Sequence, residues 1–158
     1  MYFGKLNAFW VTVYCKSFFT AAAVEAEVRM PATADSETVT EGIRIKAEPH
    51  YLLERSIPED SQYLFRYKIT ITNEGSEWAK LKSRHWIIID SDGKREDVYG
   101  PGVVGEEPEL EPGGTYSYSS FCPLGTNFGT MEGTFSMVRR DGQPFEVRIA
   151  RFYLTTNQ

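Results

Sequence analysis

From Ile43 onward the chain alternates apolar and polar residues too strictly for a helix. Ile43, Ile45 and Ala47 alternate with Arg44, Lys46 and Glu48; Tyr63, Phe65, Tyr67, Ile69 and Ile71 alternate with Leu64, Arg66, Lys68, Thr70 and Thr72. Successive strand side chains point to opposite faces, so a period of two builds strands with one face in a core and one largely in water. Further strands are expected over residues 81–90, 115–122, 133–140 and 145–155. Turn residues divide them, at Asn73-Glu74-Gly75, Asp90-Ser91-Asp92-Gly93 and Asp141-Gly142. No segment after residue 42 holds a helical period over three turns. Many short strands parted by Gly and Pro turns predict an all-β sandwich.

The segment before the alternation is different. Residues 1–42 read as an N-terminal extension, disordered in large part, ahead of one sandwich domain over residues 43–156. The run from Leu6 to Val24 is broken by Asn7 and Lys16, and a membrane span needs about 20 apolar residues. Membrane insertion is therefore not expected. Met30 opens a polar stretch, so residues 1–29 read first as an upstream extension from a start codon placed too early. A weakly helical tail and a secretory signal are the alternatives; Lys16 within the apolar run counts against the signal.

Charge narrows the partners. The chain carries a formal −5, and eight acids lie between Asp90 and Glu111 against only Lys94 and Arg95. Phosphate backbones need a basic face, so nucleic acid is not an expected partner. The acidic segment reads as a solvated edge, with a basic partner or a loosely held cation as the other reading. Cys15 and Cys122 make neither a disulfide framework nor a four-ligand zinc site. A cytoplasmic protein is the expectation, with Cys122 a small buried residue. No cofactor and no metal site are expected.

Two motifs invite a chemical reading. Gly100-Pro101-Gly102-Val103-Val104-Gly105 is a literal GxGxxG, a pattern that brings backbone amides to a pyrophosphate when it joins a strand to a helix. Here Glu106, Glu107 and Pro108 follow, which suits a Gly-rich turn in a β protein better than a helix start. An anion nest of loop amides remains the alternative. In Arg84-His85-Trp86, strand geometry puts Arg84 and Trp86 on one face and His85 on the other. His85 acting as a base would want a nucleophile or an orienting carboxylate, and no local motif provides one. Packing is the simpler role. The candidate binding residues are therefore Arg84, His85, Trp86, Gly100, Gly102, Gly105, Glu106 and Glu107, with no catalytic residue among them.

Taken in order, the chain resembles the ApaG family. The resemblance rests on Ser83-Arg84-His85-Trp86-Ile87-Ile88 followed by Gly100-Pro101-Gly102-Val103-Val104-Gly105-Glu106. The stretches 55–58, 63–75 and 129–133, with Cys122-Pro123-Leu124 and Phe152-Tyr153-Leu154, complete it. It covers about residues 43–156. The departures are small: Glu107 stands where the family usually has Gln, and Asn127 and Ala150 replace common prolines. The resemblance implies a fibronectin type III-like (immunoglobulin-like) β-sandwich in a cytoplasmic bacterial protein, tied by name to cobalt resistance and magnesium efflux. It also implies an interaction module. The leading expectation is a non-enzymatic domain that recruits a protein, acting indirectly on divalent-cation tolerance. The alternative is a small-ligand module binding a nucleotide or pyrophosphate at the glycine loop, with Arg84 neutralising it. A homodimer and a weak divalent-cation contact are further open alternatives.

Overall fold

The computed structural model describes residues 34–157, and in them the alternation is realised as nine strands. In chain order these are β1 (Ser36–Thr40), β2 (Ile43–Tyr51), β3 (Tyr63–Asn73), β4 (Ala79–Asp90), β5 (Arg95–Pro101), β6 (Glu109–Leu110), β7 (Thr115–Leu124), β8 (Phe128–Arg139) and β9 (Pro144–Thr155). They form two sheets, ordered β1-β2-β3-β7 and β5-β4-β8-β9, with β6 paired to β4. Every pairing is antiparallel. The sandwich expected from the sequence is what forms. Between β2 and β3, Leu53–Arg55 and Pro58–Asp60 make single 3-10 turns.

The sheets meet on the apolar residues of the alternation. Ile43, Ile45, Ala47, Phe65, Ile69 and Ile71 from one sheet are buried against Leu81, Trp86, Phe135, Met137, Val147 and Phe152 from the other. Trp86 lies at the centre, with edge-on contacts to Tyr67, Phe135 and Phe152 at ring-centroid distances of 5.5, 6.1 and 6.0 Å. Such T-shaped pairs place a ring's positive edge on another's negative face.

Two bulges set which residues face this core. In β4, Leu81 pairs with Met137 and Ser83 pairs with Ser136, so Lys82 is an extra residue. Upstream of it Ala79 and Leu81 point inward; downstream Arg84, Trp86 and Ile88 do, because each stands opposite an inward position of β8. In β9 the pairing passes from Met131↔Phe152 to Gly133↔Ile149. The odd-numbered inward residues Val147 and Ile149 thus give way to Phe152 and Leu154. A bulge adds one residue to one strand and reverses the facing of all that follow.

The first strand starts earlier than the alternation indicated. β1 pairs with β2 from Ser36↔Ala47 to Thr40↔Ile43, upstream of the expected boundary at residue 43. None of its residues is buried, so it carries little apolar signal and is held by backbone bonds and surface charge. Arg44 of β2 bridges Glu37 and Glu74. The readings of residues 1–29 fall outside the described residues.

Turn chemistry agrees with the sequence at all three sites. Asp90 accepts the amides of Asp92 and Lys94 at 3.0 and 2.9 Å, with Gly93 at φ +81°. Asp141-Gly142 joins β8 to β9, with Gly142 at φ +85°. Asn73 does more than turn the chain. It is fully buried, donates to the Glu77 and Leu110 carbonyls at 2.7 and 3.0 Å, and accepts the Gly75 amide at 3.0 Å. Its side chain thereby ties the end of β3 to β6 in the other sheet. Replacing it leaves three polar backbone groups without that partner, at about 1 kcal/mol or more each. Asn73→Leu should therefore lower the unfolding free energy by about 3 kcal/mol in urea denaturation monitored by circular dichroism.

Candidate functional site

The two long sides of the sandwich differ. On one, β1 meets β9: the Tyr153 amide donates to the Ala34 carbonyl at 3.0 Å, the Ser36 hydroxyl to the Ala150 carbonyl at 2.8 Å, and the Arg148 amide to the Thr40 hydroxyl at 3.3 Å. On the other, β5 and β7 are each hydrogen-bonded along one edge only, to β4 and β3. Between them lies a cleft of about 260 Å³ that reaches inward to Tyr67, Trp86, Tyr118 and Met131.

Arg84 enters this cleft from β4, downstream of the bulge. Its Nη1 donates to the Pro101 and Gly102 carbonyls at 2.9 and 2.7 Å. Gly100 stands directly opposite on β5, and a Cβ there would sit 3.0 Å from the guanidinium. The absent side chain is what lets the cation lie across the strand.

The glycine loop is a clamp. The Gly102 amide donates to the carbonyl of the bulge residue Lys82 at 2.9 Å. Val103 and Glu106 exchange backbone bonds at 2.8 and 2.9 Å, around Val104 at φ +45° and Gly105 at φ +83°. This is a tight two-residue turn with both central residues left-handed. Val103 is driven into the core. The amides of Gly102, Val103 and Glu106 are thus spent on the chain's own carbonyls, and Arg84 meets carbonyl oxygens of the loop.

The acidic segment is largely matched by neighbouring bases and donors. Glu107 pairs with Lys82 at 2.5 Å, Glu109 with Lys80 at 3.0 Å and Glu111 with Arg140 at 2.9 Å. Glu106 accepts the Tyr116 hydroxyl at 2.8 Å. Lys82 holds the Glu107 carboxyl below its ordinary range.

His85 faces away from the cleft, opposite to Arg84 and Trp86. Its Nε2 lies 2.8 Å from Asp97 Oδ1, and its ring stacks on Tyr99 with centroids 4.1 Å apart. Asp97 also accepts from Arg95 at 2.7 and 2.9 Å. Arg95 first, then His85, hold the Asp97 carboxyl far below its usual range. The orienting carboxylate that no local motif supplied thus arrives across the β4–β5 pairing.

Of the sequence candidates, Arg84 and Trp86 line the cleft, and Gly100 and Gly102 lie against the Arg84 guanidinium. Gly105, Glu106 and Glu107 form the outer loop, and His85 lies on the opposite face. The sequence reading missed Tyr118 and Gly133. Tyr118 is 7% exposed and Trp86 2%, yet the Tyr118 hydroxyl and Trp86 Nε1 are shielded from solvent with no hydrogen-bond partner. A buried unpaired donor costs about 1–3 kcal/mol. Burial pushes the Tyr118 phenol far up. Gly133 stands opposite Trp86, and a Cβ there would lie 2.1 Å from the His85 carbonyl and 3.1 Å from the indole. Tyr118 had a detectable signal, the Tyr116/Tyr118 alternation; Gly133 had none beyond a glycine within a strand. Among the described residues no group of three or more His, Cys, Asp or Glu is placed to hold a metal ion. No helix among them is long and apolar enough to cross a membrane.

Comparison with known proteins fits this geometry. The family model of the ApaG domain matches residues 53–139. Protein ApaG of Anaeromyxobacter dehalogenans is 50% identical over 119 residues, 75% of this chain and 94% of its own. Protein ApaG of Brucella anthropi is 49% identical over 116 residues, 73% of this chain and 89% of its own. A crystal structure described as an ApaA protein of Bordetella pertussis superposes with a TM-score of 0.72 at 46% identity. It covers 73% of this chain and 94% of that one.

Two outcomes test the site's construction. Gly102 has φ +54°, and a Cβ would fall 2.2 Å from the Glu106 carbonyl oxygen; Gly105 has φ +83° with open space around it. Gly102→Ala should cost at least about 2 kcal/mol and speed amide exchange at Val103 and Glu106, whereas Gly105→Asn stays within about 0.5 kcal/mol, since Asn tolerates the left-handed region. Second, burial pushes the Cys122 thiol up to about 12, and a buried, protonated thiol is a poor nucleophile. In a Cys15→Ser background the native protein should be inert to Ellman's reagent at pH 8, with one thiol released in guanidinium.

Proposed function

The chain belongs to the ApaG family, and on that premise we propose that it is a non-enzymatic binding module that recruits a protein partner. The observation that carries this reading is the asymmetry of the sandwich: its β1/β9 side is closed, and its β5/β7 side presents two strand edges. An edge strand offers a row of backbone donors and acceptors to another chain. Apolar side chains stand beside those edges, with Tyr99 71%, Val104 53% and Phe121 50% exposed. The Arg55 guanidinium lies over the Phe121 ring, 5.2 Å from its centroid. Aromatic and arginine side chains are the residues most enriched at protein interfaces.

The β5 edge lies within the acidic segment between Asp90 and Glu111. Because Glu107, Glu109 and Glu111 are already paired, the apolar rim rather than their charge is the binding feature in this reading. His85 has an orienting carboxylate, but its Nε2 is engaged and its ring covered by Tyr99, which supports a structural role. The engaged amides of the glycine loop weigh against a pyrophosphate there. The link to cobalt resistance and magnesium efflux is read as indirect, passing through the partner. A cytoplasmic location goes with this reading, since a reducing compartment keeps a free thiol such as Cys122 reduced.

Site-specific photocrosslinking in bacterial cells tests the proposal. A photoreactive residue at Tyr99 or Phe121 should give a discrete protein adduct, and one at Lys68, in the centre of the β1-β2-β3-β7 sheet, should not. An adduct of twice the chain's mass would make the partner a second copy. Equal adducts at all three positions, or none, would overturn it. Calorimetric titration with diadenosine tetraphosphate or ATP should show no saturable heat; micromolar binding abolished by Gly102→Ala would instead make the loop a nucleotide site.

A further inference from the structure

We propose that the cleft between β5 and β7 is itself a binding site for a small organic monoanion: a carboxylate head on an apolar body. This goes beyond recruitment of a partner at the rim and does not require one.

The argument starts from an excess of donors. Trp86 Nε1 can only donate, and the Tyr118 hydroxyl is unpaired; both atoms are shielded from solvent in residues that line the cleft, so a ligand meets them through a small shift of those side chains. Arg84 commits one nitrogen, Nη1, to the loop carbonyls, which leaves Nη2 and Nε free among the described residues. Ser120 adds a hydroxyl beside Tyr67, to whose phenol it is hydrogen-bonded. Three donor groups without a full set of acceptors, one of them cationic, call for an acceptor that carries negative charge. A carboxylate accepts from a guanidinium fork and from neutral donors together.

The remaining wall limits what bears that carboxylate. Ile88, Val98, Val104, Phe121 and Met131 are apolar, so the body is apolar. The cleft's 260 Å³ is roughly nine times the ~30 Å³ share of a water in the liquid. That suits one aromatic ring or a short aliphatic acid. Charge sets a further limit. Glu96 lines the cleft on β5 opposite Ile88, whereas Arg84 stands opposite Gly100. Four residues of strand separate the two ends, roughly 14 Å at about 3.4 Å per residue. One end attracts a single negative charge and the other repels a second.

The experiment uses the full ¹⁵N-labelled chain and follows the Trp86 indole N–H resonance, assigned by its loss in Trp86→Phe. Benzoate and hexanoate are titrated beside benzyl alcohol, benzylamine and ATP. A saturable shift is expected with at least one carboxylate, at least tenfold tighter than with the alcohol or the amine, and none with ATP. Tyr118→Phe removes an unpaired hydroxyl, so its melting temperature should equal or exceed the wild type's. Its carboxylate affinity should fall about tenfold, the loss of one charge-assisted hydrogen bond. Arg84→Gln should weaken binding at least as much. The proposal is overturned if neither carboxylate saturates, if benzylamine or ATP binds as well, or if Tyr118→Phe binds carboxylate unchanged. A crystal soaked in benzoate that shows only water on Trp86 Nε1 and the Tyr118 hydroxyl would overturn it too.

Discussion

The bulge at Lys82 is the constraint on which the rest of the structure depends. Were the same residues paired without a bulge, the inward row begun by Ala79 and Leu81 would continue through Ser83, His85 and Ile87. The core would then receive an imidazole and a hydroxyl, and the indole of Trp86 would face water. With the bulge, Trp86 reaches the centre of the aromatic cluster and Arg84 reaches the open side. The bulge also anchors the glycine loop, because its carbonyl accepts the Gly102 amide and its ammonium pairs with Glu107. One inserted residue therefore sets the core, the cleft and the loop that closes the cleft's end.

Two glycines complete that arrangement by removing Cβ atoms where β4 presents its largest side chains. Gly133 gives the indole of Trp86 its place on the sheet, and Gly100 gives Arg84 its path over β5. The GxGxxG pattern shows how far a motif's chemistry depends on context. In a strand–loop–helix setting its amides point outward at a phosphate. Here the Gly102 and Val103 amides are taken by the Lys82 and Glu106 carbonyls, and it is carbonyls that point at a cation.

The alternation made the sandwich legible because burial on one face leaves a period-two trace in any strand with a strong core face. β2, β3 and β7 have that trace. β1 does not, since no residue of it is buried, and its pairing depends on backbone bonds that leave no mark on composition. The sharing of a face by Arg84 and Trp86 was legible from strand geometry alone. That this face is the inner one was not, because the bulge that decides it has no local signature: Lys82 resembles any exposed strand residue. Asp97 could not be joined to His85, nor Asn73 to Leu110, for a different reason. Those contacts are set by strand register and sheet-to-sheet packing, which bring together residues 12 and 37 positions apart.

Polar groups left unpaired inside a well-packed sandwich are a stability cost that ordinary substitution removes. Phe in place of Tyr118 would keep the ring and discard the hydroxyl. Among the described residues, two of the three such side-chain atoms belong to neighbours in one wall. Trp86 and Tyr118, whose Nε1 and hydroxyl are shielded and unpaired, line the same cleft on the side where the sandwich is open, beside a guanidinium with donors to spare. Away from the cleft Arg139 Nη1 is unpaired as well, whereas the buried amide of Asn73 finds three partners. Local rules of satisfaction tend to break where a structure is built to meet something outside itself. The proposed binding at the β5/β7 cleft, rather than at the glycine motif, rests on this coincidence of unmet donors, spare charge and open volume at one place.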